Sequence, residues 1–242
     1  MGLSLDLEEG QLDWTARWGL ERGTEWGNLV ADQDPKVPSG LSRVNLDRPV
    51  VFWMSHDLGG NQELLYPFFE AITGLMKGMD PEVLFQLAGH QMEGVMSMGW
   101  GESGMDMEGV YSFPNLEVAE YRDLIREQMS NLELEVPGID FEYRQNVGEI
   151  GGIEVDLLIQ EMDIPSDEET PFPLGRMEVY YGWGQEEILT VMASGADGAG
   201  MESLRDLLSR EPGPLPDHVR SYLDRCPEEL LMFGWLDMGG LM

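Results

Sequence analysis

Basic residues are scarce in this chain: 14 Lys and Arg stand against 46 Asp and Glu, a formal net charge of −32. Nucleic acids and anionic lipid heads are held by Lys and Arg on phosphate, so such a surface repels them. DNA, RNA and anionic membrane are excluded as partners on that ground. Lysine is confined to Lys36 and Lys77. Many carboxylates with little lysine fit a chain working in concentrated salt, where screening shortens their mutual repulsion. A plainly solubilising acidic surface accounts for the composition equally well.

Cysteine is nearly absent. Cys226 alone cannot close an intrachain disulfide, and it lies beside acidic residues, the wrong field for an activated thiol. Long apolar runs are missing too, so no segment reaches the roughly 20 residues of a membrane helix, and membrane insertion is not expected. The start, Met1-Gly-Leu-Ser-Leu-Asp, has neither the basic end nor the apolar stretch of a signal peptide. The three histidines, His56, His90 and His218, are too dispersed to suggest a zinc site.

What the chain does have is apolar and aromatic residues enough for a core, with seven Trp arguing against disorder. Leu3, Leu5 and Leu7 alternate with polar residues, as do Leu12, Trp14 and Ala16 after a Gly-bearing turn, which predicts a hairpin. Val50 to Met54 is a continuous apolar run and predicts a central strand. Further hairpins are expected around 96–113, 141–162 (turning over Gly148 to Gly152) and 177–192, with a last strand over 230–235. Helical spacing marks 63–79, 80–87, 115–132, 201–208 and 217–224. The predicted class is α+β: a mainly antiparallel sheet built from β-hairpins, with helices packed on one face.

The two ends of the chain match one another. Glu9, Leu12, Ala16, Gly23 and Pro35 align with Glu186, Leu189, Ala193, Gly200 and Pro212, and Leu46-Asp47-Arg48 aligns with Leu223-Asp224-Arg225. After a three-residue insertion, Asp57-Leu-Gly59-Gly60 meets Asp237-Met-Gly239-Gly240, each following an apolar strand. The match implies a repeating unit of about 180 residues. Residues 1–45 would then end one copy, 46–222 form a unit, and 223–242 begin the next, within what can still be one compact domain.

Gly152-Ile-Glu-Val-Asp156, the strand pair near 177–193 with Val191-Met-Ala-Ser-Gly195, and Gly200-Met-Glu-Ser-Leu204 together resemble large uncharacterised proteins exported by bacteria and built of β-hairpin and helix repeats. The resemblance implies an extracytoplasmic location with the signal peptide outside this chain. It supplies no active site.

Chemistry-bearing residues are few. Ser55-His56-Asp57 spells the letters of a catalytic triad, but neighbours on a strand point to opposite faces and cannot assemble one. His90, Met92, Met96, Met98, Met105 and Met107 offer soft ligands for Cu(I). Their alternation, shared with Trp100, Tyr111 and Phe113, points instead to packing by a flexible side chain. Asp163, Asp167, Glu168 and Glu169 fall in one loop and are candidate ligands for weakly bound Ca²⁺, although EF-hand spacing is lacking. No catalytic residue and no cofactor is expected. The reading is a non-enzymatic structural or protein-interaction module of an exported protein, its partner another protein or a further repeat of the same chain. The alternatives are a carboxylate-dependent hydrolase and a loose divalent-cation binding module.

Overall fold

The computed structural model describes residues 2–8, 11–17, 23–24, 37–56, 90–101, 104–130, 139–162, 175–194, 198–224 and 232–236. In chain order these form β1 (Gly2–Glu8), β2 (Gln11–Arg17), a 3-10 turn (Ser39–Ser42), β3 (Val50–His56), β4 (Met92–Gly101) and β5 (Gly104–Ser112). They continue with α1 (Val118–Ser130), β6 (Ile139–Ile150), β7 (Ile153–Met162), β8 (Arg176–Trp183), β9 (Glu187–Ser194), α2 (Ala199–Ser209), α3 (Asp217–Leu223) and β10 (Met232–Leu236). The helices expected over 63–79 and 80–87, and Cys226, lie outside the described residues.

β1 and β2 pair with each other as a two-stranded sheet. The other strands make one eight-stranded sheet in the order β10-β3-β4-β5-β9-β8-β7-β6, antiparallel at every step. The architecture is thus dominated by antiparallel sheet, with helices a minor part. The hairpins β4–β5, β6–β7 and β8–β9 fall where alternation and turn residues predict them. The turn of β6–β7 is tighter than expected. β6 runs on to Ile150, and only Gly151 and Gly152, with φ of 59° and 85°, make the reversal. Two successive positive φ values define a type I′ turn, which glycine adopts without strain. The extra length of β6 is absorbed by a register shift between Arg144 and Gly148.

The helices do not share a face of the sheet, in contrast to the expectation above. Leu204 and Leu207 of α2 are buried with Val155, Leu157, Tyr180, Leu189 and Val191. Val118 of α1 is buried with Phe113, Trp183 and Ile188, and Tyr121, Ile125 and Tyr181 pack against them. Tyr180 and Tyr181 are neighbours on β8 and so point to opposite faces. The physical reason lies in the central strands. β9 is apolar on both sides (Glu187-Ile-Leu-Thr-Val-Met-Ala-Ser194), and a strand apolar on both sides needs cover on both.

The larger core lies on the α2 face. Val51 and Trp53 of β3, Val95 of β4 and Val110 of β5 join it, each at most 3% exposed, with Leu41, Val44 and Leu46 closing over them. Burying a side chain of this size contributes about 1.5–3 kcal/mol, so this face holds most of the sheet's apolar stabilisation.

Candidate functional site

Two features of the sheet invite a functional reading: carboxylates carried into the interior, and the methionine-bearing face. The carboxylates are satisfied locally. Asp156, on β7 facing α1, is fully buried. It accepts from Arg126 Nε and Nη2 at 2.7 Å each, Tyr143 Oη at 2.6 Å, Trp183 Nε1 at 2.8 Å and the Asn146 backbone N–H at 2.8 Å. Asn146 has φ of 51° within the shifted stretch of β6, and that bend aims its N–H at the carboxylate. Burial by itself would raise the pKa of Asp156, but the hydrogen bonds from Arg126, Tyr143, Asn146 and Trp183 prevail and hold it below its ordinary value. Tyr143 is pushed up by burial and by the adjacent negative charge. Burial also pushes Tyr121 and Tyr181, in the aromatic cluster under α1, up to about 12.

On the α2 face Glu108 and Glu178 are each 4% exposed. Glu108 accepts from both terminal nitrogens of Arg210, at 2.6 and 3.3 Å, and from the Asn45 backbone at 3.2 Å. Arg48 stands 3.1 Å from it and also binds Asp106 and the Ser97 carbonyl. Glu178 accepts from Tyr180 Oη at 2.5 Å, Arg176 at 2.9 Å and the Gly198 backbone at 3.3 Å. Burial would raise its pKa too, and these donors lower it on balance. Such groups tie segments together: Glu108 joins the chain before β3 to the end of α2, and Asp156 joins α1 to β6, β7 and β8. A general acid needs a carboxyl raised toward neutrality. Asp156, Glu178 and the exposed Glu142 are all displaced the other way.

The methionines define a different kind of surface. One cross-strand row runs through Leu158, Val179, Met192, Met107, Met98 and Val50, each residue opposite the next. Met177, Met105 and Trp100 stand beside it on the same face, as do Met96 and Phe52. Apart from Met192, at 8% exposed, the row is only half-buried, and Trp100 is 38% exposed. Met96, Met98, Met105 and Met107, expected to pack in the core, are therefore only half-buried, whereas Met92 packs against the cluster under α1. The fully buried side of β4 and β5 is the opposite one, with Val95, Ser97 and Val110. α1 packs over the other half of this face, against Tyr111, Tyr181 and Trp183.

Of the predicted candidates, the fold brings Met96, Met98, Met105 and Met107 together on one face of the sheet. Ser55 is buried on the α2 face, position 56 belongs to the opposite face by strand alternation, and Asp57 lies outside the described residues. Met92 packs toward Phe113 and Val118, at the far end from Met98 and Met107. Asp163, Asp167, Glu168 and Glu169 lie outside the described residues. Among the described residues no group of three His, Cys, Asp or Glu is arranged to hold a metal, and no helix is long and apolar enough to cross a membrane. An open depression of about 320 Å³ lies between Ser42, residues 44–47, Arg210, Pro214 and Pro216. Arg210, its one cation among the described residues, is already engaged by Glu108 and Asp206.

Sequence reasoning passed over the arginines that hold the buried carboxylates. Their signal was the near-exclusion of lysine, since a planar, permanently charged fork suits a buried carboxylate better than an ammonium does. No family model, curated protein or solved structure matches this chain.

Proposed function

We propose that the chain is a non-enzymatic protein-interaction module whose methionine-rich sheet face receives a basic, amphipathic segment of a partner. The observation that carries this reading is the row Leu158, Val179, Met192, Met107, Met98 and Val50, half-buried except at Met192 and crossing six strands without a charged residue. Unbranched thioethers adapt to differently shaped apolar partners, which suits a docking surface. The net charge of −32 selects the polar side of the partner: cationic segments are attracted and anionic ones turned away. The donors that hold Asp156 and Glu178 below the ordinary carboxylate pKa favour scaffolding over acid–base catalysis. The resemblance to exported repeat proteins extends the proposal to a place outside the cytoplasm, within an array of similar units.

The probe is a synthetic Leu/Lys peptide of amphipathic helical pattern, set against a Ser/Lys peptide of equal charge, each titrated calorimetrically into the full chain. The Leu/Lys peptide is expected to bind at least tenfold more tightly. Met98→Asp with Met107→Asp should erase that difference while the circular dichroism of the sheet persists. Equal binding of the two peptides to the wild type, or an undiminished preference in the variant, defeats the proposal.

A further inference from the structure

β3 and β10 are the strands that the internal match makes equivalent, since each runs directly into Asp-x-Gly-Gly at Asp57 and Asp237. In that alignment Trp53 corresponds to Phe233, and Phe52 and Met54 to Met232 and Gly234. The fold places these two strands side by side and antiparallel, although 175 residues separate their ends. The register pairs Phe233 with Trp53, Met232 with Met54, and Gly234 with Phe52. Trp53 thus faces its own counterpart, and the residues on either side exchange partners symmetrically. That is the relation two identical antiparallel strands have about a twofold axis.

We propose that β10 occupies on β3 the place of a second copy's β3: the edge of β3 is self-complementary, and two copies of this sequence unit join through antiparallel β3–β3 pairing centred on Trp53. The sheets of both units become continuous across the axis. The proposal rests on the internal match and not on the methionine-face reading. It identifies the partner at this edge as a like unit, whether in the same chain or in another. Pairing through main-chain hydrogen bonds suits this, because the ladder needs only a matching edge and apolar side chains in register. Val50-Val-Phe-Trp-Met54 and Met232-Phe-Gly-Trp-Leu236 provide both.

The test loosens β10 in the full chain. Gly234→Pro fixes φ and removes a backbone N–H in the middle of β10, and lost hydrogen-exchange protection in β10 shows that the strand has been released from β3. The wild type is expected to sediment as a monomer and the variant as a dimer, with a mass increase of about twofold. In the Gly234→Pro, Cys226→Ser background, Phe52→Cys with Met54→Cys should yield a disulfide dimer, because 52 lies opposite 54 of the other copy. Phe52→Cys alone should yield far less. A monomeric Gly234→Pro chain with intact circular dichroism overturns the proposal, as does equal cross-linking by the single cysteine. Should Gly234→Pro unfold, a peptide spanning residues 47–57, carrying added lysines, is titrated into the wild type. It is expected to raise hydrogen exchange in β10 selectively, and binding without that rise, or no binding, overturns the proposal equally.

Discussion

Asp156 shows how much of this molecule depends on single polar residues. Five hydrogen bonds converge on a fully buried carboxylate, and their donors come from α1, β6 and β8. Asp156→Asn leaves the Arg126 guanidinium without its charge partner and is expected to cost about 3 kcal/mol in denaturant unfolding. Its pH dependence has a defined sign. The folded pKa of Asp156 lies below the unfolded value, so its stabilisation is present above the unfolded pKa and lost as pH falls through the folded one. The gap between wild type and Asp156→Asn should therefore be full at neutral pH and shrink below about pH 4. A gap that persists unchanged into strong acid would show that the carboxylate's charge is not what matters. None of this was visible in Gly152-Ile-Glu-Val-Asp156, where alternation alone makes Asp156 an ordinary residue facing away from Val155 and Leu157. Only the Arg126 and Trp183 that other elements bring to it make it an anchor.

At the scale of elements, strands were far more legible than their cover. Period-2 alternation and Gly-bearing turns located the hairpins because both signals are local. The distribution of helices over two faces was not local, and it was expected wrongly. The clue was present in β9, whose apolar run has no polar side, but choosing which helix takes which face needs the sheet order. α2 is seated closely: a Cβ on Gly200 would lie 2.2 Å from Tyr180 Cδ2 on β8. Gly200→Ala is therefore expected to destabilise by about 1–3 kcal/mol despite the better helix propensity of alanine. Chemical denaturation measures this, and a stabilised variant would mean that α2 sits farther from β8. The methionines repeat the lesson. Their alternation placed them on one face correctly, yet whether that face is core or a half-buried surface depends on what α1 reaches.

At the scale of the whole molecule, charge is the dominant property. With −32 in formal charge, carboxylates repel each other across the surface in the folded state, and added salt should screen them. The melting temperature is expected to rise between about 0.05 M and about 1 M NaCl, because exposed repulsion is screened more than the buried Arg–carboxylate contacts of Asp156 and Glu108. A flat or falling curve would remove the high-salt reading. The net charge and the antiparallel hairpin composition follow from the amino-acid sequence alone, since they depend on residue counts and on neighbours close along the chain. The match between the chain's ends is likewise a property of the sequence. Only the tertiary structure decided that β3 and β10 lie edge to edge in a symmetric register, that the helices flank the sheet on both sides, and that the methionines line a half-buried row. Each depends on contacts between residues far apart along the chain, and only sheet order and burial determine those.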